Sequence, residues 1–451
     1  MSDIQQQTAE LVRADPLVRE NSRTLQLKAH RIIPGGAHTY AKGDDQFPAS
    51  APAFIARGKG CHVWDTDGRE FIEYGMGLRA VTLGHAYPPV VEAVCRQIQL
   101  GTNFTRPAKI ELDLAEALLE IINGADMVKF AKNGSDATTA AVRLARAYTG
   151  RNLVAICADH PFFSTDDWFI GTTEVNAGIP VQVANMTLKF RYNDSESLQA
   201  LFDQYPAQIA CVVMEAEAAV PPVPGYLSGV KETCEKQGAL LVFDEMITGL
   251  RWHLGGAQKF HGVIPHLSAF GKALGNGLAI SALCGKREIM QLGGLEHDRP
   301  RVFLLSTTHG AETHALAGAL ETLRVYREHD VIDFLWRQGE RLRALIMRSV
   351  AENHLEGFFE LFGRPCNLVF GTLDQEGNRS QAFRTLFMQE LIRRGVIAPS
   401  FVVSFSHSDA DIERTAKAVY EAHVVYRRAL DEGIGQYLEG RPVKPVNRRF
   451  N

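Results

Sequence analysis

From about residue 86 to residue 305, short apolar runs alternate with stretches that read as helices, and no other feature narrows the fold as far. The runs are Val128-Lys129-Phe130, Leu153–Ile156, Ile209–Met214, Leu240–Phe243, Leu267–Phe270, Ala282–Cys284 and Val302–Leu305. Helical stretches such as Asp136–Tyr148 and Leu227–Gln237 fit between several of them. Strands that alternate with helices argue for a mostly parallel sheet wrapped by helices, an α/β architecture. Seven runs predict seven strands. After about residue 312 the chain reads as helix through 353, then as a mixed segment with strands near Phe358–Leu361 and Leu368–Phe370. Residues 1–33 read as helix, stopped by Pro34-Gly35-Gly36, and 53–75 as a short hairpin. The expected division is 1–75 as the N-terminal part of a small α+β domain, 76–312 as the large domain, and 313–451 as the C-terminal part of the small one.

Charge and cysteine usage exclude several classes. With 48 basic and 52 acidic residues in 451, the net charge is −4, which offers no field for nucleic acid or an anionic membrane. No apolar run approaches the ~18 residues of a membrane span. The N-terminus, MSDIQQQTAELVRADP, is polar and acidic, unlike a signal or transit peptide. Cys61, Cys95, Cys157, Cys211, Cys234, Cys284 and Cys366 are odd in number, widely spaced and lack any CxxC pair. That pattern predicts reduced thiols in a cytoplasmic protein, with neither a disulfide framework nor a zinc site.

Four segments can carry chemistry. In Lys129–Ala137 a strand ends, Asn133-Gly134 turns and a helix opens at Ser135. Free N–H groups at a helix start suit a phosphate, although an ordinary capped turn has the same look. Leu240–Met246 places Asp244 and Glu245 after an apolar strand, where a carboxylate can pair with a cation, bind a metal or simply meet solvent. Ala269–Gly277 places Lys272 at an apolar strand end between glycines. A lysine that is desolvated there becomes an amine nucleophile for a carbonyl; an exposed loop lysine is the plainer reading. Ser306–Gly310 offers hydroxyls after another apolar run, or one more turn. His309 and His314 are five apart, not the i, i+4 of a helical zinc pair, and no metal is expected. The order decides: phosphate turn, acid, then lysine, each at a strand end. These are the parts that pyridoxal phosphate requires.

At these residues the chain resembles the class III aminotransferases of fold type I, and within them the glutamate-1-semialdehyde 2,1-aminomutase subgroup. The resemblance runs from about Pro34 to His407. It is carried by Ile33-Pro34-Gly35-Gly36, Gly58-Lys59-Gly60, Trp64-Asp65-Thr66-Asp67-Gly68, Leu83-Gly84-His85-Ala86, Pro224-Gly225-Tyr226, Phe243–Arg251 and Gly271–Gly277. It implies a large cofactor domain with a seven-stranded sheet and a small domain drawn from both chain ends. Lys272 matches the lysine that forms the Schiff base and moves the proton. Asp244 matches the acid that keeps the pyridine nitrogen protonated. Gly134 and Ser135 match the phosphate-turn amides, and Met246 the apolar residue under the ring. Glu215 matches the acid of the family's Glu-Pro segment, with Ala216 in place of the proline. Thr307 matches a threonine that reaches the phosphate from the neighbouring subunit, which implies a homodimer with shared active sites.

The departures fall elsewhere. His160-Pro161-Phe162-Phe163-Ser164 replaces a Tyr-His-Gly segment, so Phe162 stands in for the stacking tyrosine without its hydroxyl. Lys42 stands where the aminomutases have a carboxylate-binding arginine. Gly77-Leu78-Arg79 replaces a Ser-Trp pair, and the chain is shorter around Pro399-Ser400-Phe401. The cofactor residues match while the substrate residues differ. The expected activity is therefore transfer of an amino group from an amino-acid donor to a carbonyl acceptor, the alternative being an intramolecular aminomutase. Arg79, with Lys42 second, is the expected contact for an anionic substrate group.

Overall fold

The computed structural model describes residues 22–160, 162–446, 448 and 449. Its centre is a seven-stranded sheet in the order β4-β10-β9-β8-β7-β5-β6. These strands are β4 (Met127–Ala131), β5 (Leu153–Cys157), β6 (Thr187–Phe190), β7 (Ile209–Met214), β8 (Leu240–Asp244), β9 (Leu267–Phe270) and β10 (Ser281–Gly285). All neighbours are parallel except β10, which runs antiparallel to both β4 and β9. Every residue of β7 to β10 is buried, because helices cover both faces of the sheet. That explains why these strands read as unbroken apolar runs.

The seventh strand is not the one expected. Val302–Leu305 is irregular: Val302 and Leu304 are buried, but Phe303 faces outwards and no strand pairs with them. Instead β6 completes the edge. Its sequence, Thr-Leu-Lys-Phe, mixes polar and apolar residues because an edge strand is only half covered.

A second sheet joins the two ends of the chain. Strands β1 (Ile55–Lys59), β2 (His62–Asp65) and β3 (Glu70–Glu73) form an antiparallel meander, and β13 (Val396–Ile397) adds parallel to β3. A separate antiparallel pair, β11 (Phe359–Phe362) and β12 (Val369–Thr372), lies between the long C-terminal helices. The helical stretch expected over 313–353 is two helices, Thr313–Glu328 and Val331–Glu352, parted at His329-Asp330. The first packs on helix Pro88–Ile98, the second on helix Asp409–Glu432. Of the expected helix over 1–33, Ser22–Ile32 is helical, and residues 1–21 lie outside those described. All seven cysteines are free, and only Cys95 is exposed.

Candidate active site

Three neighbouring strands end on one spot. Glu215 follows β7, Asp244 closes β8, and Lys272 stands two residues beyond β9. Residues that leave adjacent parallel strands at their carboxyl ends enter one crevice. Asp244 and Glu215 are both buried, and each acts electrostatically on Lys272. Burial alone would favour the uncharged forms. It pushes the Asp244 carboxyl up to about 6, against the pull of Lys272 and a hydrogen bond from the Met246 N–H to Oδ1 at 2.9 Å. Glu215 is pushed up to about 8 by burial and by the charge of Asp244. Lys272 is pulled below the ordinary lysine value by burial, with the two carboxylates opposing. Its backbone has φ 45°, in the left-handed region that L-residues avoid at a cost of about 1–2 kcal/mol.

The phosphate turn reaches the same place. Helix Gly134–Thr149 opens directly after β4. The Asn133 N–H is capped by Asp136 Oδ2 at 2.8 Å, and Gly134 and Ser135 supply the next N–H groups of the first turn. Ser281 Oγ, at the start of β10, donates to the Asn133 carbonyl at 2.7 Å and ties the turn to the sheet. Met246 lies against both the turn and the glycine before the lysine. A Cβ added at Gly134 would lie 2.9 Å from Met246 Sδ, and one at Gly271 would lie 2.6 Å from it. Both glycines thus border the same thioether, which lies between the phosphate turn and the Lys272 segment.

Of the adjacent acids Asp244 and Glu245, only the first faces the crevice. Glu245 accepts from the N–H groups of Ala257 (2.8 Å) and Gln258 (2.7 Å) and from the Thr248 hydroxyl, so it is a loop anchor.

Arg79 is drawn into the group. The Arg79 guanidinium and the Glu215 carboxylate interact, and burial followed by the repulsion of Arg251 lowers Arg79 to about 10. It stands at the end of an unusual turn. Met76 (φ 43°), Gly77 (58°), Leu78 (58°) and Arg79 (70°) are all left-handed in succession. Only Gly77 adopts this without penalty, so the other three store about 1–2 kcal/mol each. Arg251 holds the turn from below, donating from Nη2 to the Arg79 carbonyl at 2.6 Å. Asn367 and Ser400 hold the guanidinium itself: Nε donates to Asn367 Oδ1 at 2.9 Å and Nη2 to Ser400 Oγ at 3.2 Å. The sequence assigns no role to Asn367, Ser400 or Arg251. Arg251 lies within the Phe243–Arg251 motif, whereas nothing local marks Asn367 or Ser400.

The remaining expected residues lie further out. Phe162 is 46% exposed and packs edge-to-face on Phe169, with ring centroids 5.5 Å apart. His160 and Phe163 of that segment are buried; His160 Nδ1 accepts the Glu215 N–H at 3.0 Å, and burial holds the imidazole neutral, with its pKa lowered to about 4. Thr307 is exposed and donates to the His309 carbonyl at 2.7 Å. Lys42 is exposed in the segment Tyr40–Lys42 and is not among the groups acting on Lys272, Asp244 or Glu215.

These residues fit pyridoxal phosphate. Glu215 Oε2 is buried without a partner among the described residues, Asp244 keeps one oxygen clear of the Met246 N–H, and a helix start faces an apolar floor beside a desolvated lysine. Fold and site together define a fold-type I, pyridoxal-phosphate-dependent enzyme. The family profile described as Aminotransferase class-III matches residues 40–357. The chain belongs to that family. It is 34% identical over 430 residues to the glutamate-1-semialdehyde 2,1-aminomutase of Syntrophomonas wolfei, covering 89% of this chain and 97% of that one. Its structure is similar to the FumI protein of Sphingopyxis sp. MTA144 in its PLP internal aldimine form, with TM-score 0.83 at 27% identity, covering 91% and 97%. An omega-transaminase from Sphaerobacter thermophilus superposes with TM-score 0.81 at 26% identity, covering 91% and 98%.

Proposed function

We propose that this enzyme moves an amino group from an amino-acid donor to a separate carbonyl acceptor. The observation that carries the proposal is the meeting of Lys272, Asp244 and the Gly134-Ser135 turn around Met246, with Arg79 acting on Glu215 and Lys272. Bound pyridoxal phosphate supplies an aldehyde for amines and a protonated ring that draws electrons from the neighbouring carbon. Gly134 and Ser135 bind its phosphate through their N–H groups. Asp244 would pair with the ring nitrogen and hold its proton in place. Lys272 Nζ, lowered by burial, is a nucleophile when neutral and would hold and return the proton at the reacting carbon. Met246 keeps water from the floor.

A homodimer with shared sites belongs to this reading. Thr307 lies in an exposed stretch beside exposed Phe303, and Asn103 Nδ2 donates to the Thr308 carbonyl at 3.1 Å, bringing exposed Phe104 and Leu100 to the same surface. An apolar patch of this kind suits cover by a second copy. The free thiols, six of them buried, suit a reducing compartment such as the cytoplasm. Among the described residues no helix is long and apolar enough to cross a membrane.

A second reading, internal amino transfer, is favoured by the name carried by relatives 31–34% identical. A half-reaction separates the two. With glutamate or another common donor and no acceptor, the holoenzyme should release one keto acid per site. Failure with every donor, together with isomerisation of glutamate semialdehyde unaided, would establish the internal route.

A further inference from the structure

A second cluster of ligating side chains lies at the small sheet, outside the cofactor site. Cys61 stands in the turn between β1 and β2, and His62 opens β2. Asp411 lies in the first turn of helix Asp409–Glu432, 349 positions beyond His62. One ligand atom from each, the Cys61 Sγ, a His62 ring nitrogen and an Asp411 carboxylate oxygen, all lie within 4.8 Å of one another. The three are held from outside the cluster. His62 Nε2 lies 3.0 Å from Asp411 Oδ1, while Nδ1 is turned to Glu70 Oε1 at 2.8 Å. A carboxylate on the far nitrogen is what fixes the ring of a metal-bound histidine. Arg414 reaches the same Glu70 oxygen at 3.9 Å and anchors it. Asp411 gives its other oxygen to the helix start: Oδ2 accepts from the Ser408 N–H at 2.9 Å and from the Ser408 hydroxyl at 2.6 Å, so Oδ1 is left for the cluster. Cys61 is buried, and its thiol bonds to Asp411. A cleft of about 470 Å³, lined by His62, Trp64, Glu70 and His85, opens beside the histidine. It supplies an entry path for an ion and room for water.

We infer that Cys61, His62 and Asp411 bind a zinc-like divalent cation, with Glu70 as the positioning carboxylate and a water from the cleft as the fourth ligand. One sulfur, one nitrogen and one oxygen donor suit Zn²⁺ or Co²⁺, whereas Mg²⁺ and Ca²⁺ require oxygen ligands throughout. Without a metal, burial and then the charge of Asp411 hold the Cys61 thiol protonated. On binding, the S–H bond breaks, a sulfur–metal bond forms and the proton passes to solvent. The ion joins the β1–β2 turn to the C-terminal helix and so ties the two ends of the chain together. Cysteine and histidine spacing carries no sign of such a set, because its third member is remote in sequence. No residue of the cofactor site takes part, so the inference stands apart from the reaction type.

The test uses the full-length holoenzyme, stripped with a chelator, dialysed and titrated with Zn²⁺ by calorimetry. One Zn²⁺ per chain should bind with a Kd on the order of 10 µM or tighter, weaker than a full four-ligand structural site. Mg²⁺ should not compete. Cys61→Ser and His62→Gln should each weaken Zn²⁺ by about 100-fold or more, since each removes a ligand. Glu70→Gln should weaken it about ten-fold, as loss of an outer carboxylate predicts. Co²⁺ in place of Zn²⁺ should show tetrahedral d–d bands at wavelengths beyond the cofactor's absorbance, and Cys61→Ser should abolish them. Zn²⁺ should also raise the Tm of the wild type but not of Cys61→Ser. Asp411 caps its helix as well, so Cys61→Ser and His62→Gln carry the decision, with retained cofactor absorbance showing that each is folded. The exposed Cys95 is the control: Cys95→Ser should leave every readout unchanged. Zn²⁺ binding weaker than the stated Kd, wild-type affinity in both Cys61→Ser and His62→Gln, or loss of binding in Cys95→Ser overturns the inference.

Discussion

Asp244 and Lys272 stand at or just past the ends of strands buried on both faces, whereas Arg79 stands on a left-handed turn tied to residues 288 and 321 positions further along the chain. The floor is thus a product of local structure. Each residue is placed by its own strand, and the register Asp244 opposite Ala269 fixes the acid relative to the lysine. The wall is a product of assembly. It exists only when the C-terminal segments Pro365–Asn367 and Pro399–Ser400 pack against the turn. A local floor is hard to alter without losing the chemistry; an assembled wall can change its ligand by exchanging a few loop residues.

The sharpest break of this comparison is at Lys272. Lys272→Ala should lower turnover by about 10⁴-fold or more, while added cofactor still binds through the phosphate turn and Asp244. Borohydride reduction of the wild-type protein followed by peptide mapping should place the cofactor on Lys272; labelling of any other lysine would refute the assignment.

Asp244→Asn is the next in size. The substitution keeps the shape but removes the negative charge, and a loss of about 10²–10³-fold in kcat with the cofactor retained is expected. The pH profile checks the cause. Asp244 is pushed up to about 6 by burial, so protonation as pH falls through that value removes the charge. The positive charge of a bound pyridinium can only lower it, which makes about 6 the upper limit for the acid limb in the holoenzyme. Cofactor affinity of the wild type should fall on the acid side relative to Asp244→Asn; identical profiles would rule the role out.

A third experiment asks whether the floor is complete within one chain. Thr307 is exposed, and among the described residues its hydroxyl bonds to its own His309 carbonyl. If a partner's Thr307 completes the phosphate site, mixing Thr307→Ala with Lys272→Ala subunits puts both defects in one site of the heterodimer and leaves the other intact. Activity should recover after subunit exchange. Proven exchange with no recovery would place Thr307 in its own subunit's site.

The same contrast explains what could be read in advance. Lys272, Asp244 and the Gly134-Ser135 turn were visible because a strand-end motif is contiguous: an apolar run, then the reactive residue. Six of the seven strands were visible for the same reason. Val302–Leu305 misled because alternating burial without pairing has the same sequence as a strand, and β6 was hidden because its edge position tolerates Lys189. Asn367 and Ser400 were invisible because an amide and a hydroxyl in loops carry no signature until the fold brings them to Arg79. The break at His329-Asp330 inside the long helical stretch lacks a proline or glycine to announce it.

The smallest expected effects come from two glutamates of one loop with opposite surroundings. Burial opposes the charge of Glu217, but His261 at 2.7 Å and the fork of Arg364, at 2.5 and 2.9 Å, hold its carboxyl below the ordinary range. A lowered folded value means stability that is present above the unfolded carboxylate pKa and lost as pH falls through the folded one. Glu217→Ala should therefore destabilise the protein at neutral pH, by about 2–3 kcal/mol once the exposed part of Arg364 is discounted. Glu215 has no such partner for Oε2 and is pushed up to about 8. Its folded form keeps a proton that the unfolded chain releases near its ordinary pKa, so stability of the cofactor-free protein falls as pH rises from there through about 8. Glu215→Gln should remove that loss and stabilise the cofactor-free protein at pH above 8 by roughly 1–2 kcal/mol, with no gain below pH ~4. Thermal unfolding at both pH values checks the sign. A stabilisation that is the same at both would mean that packing rather than charge sets the effect, and a destabilisation at high pH would mean that Glu215 is paired in solution.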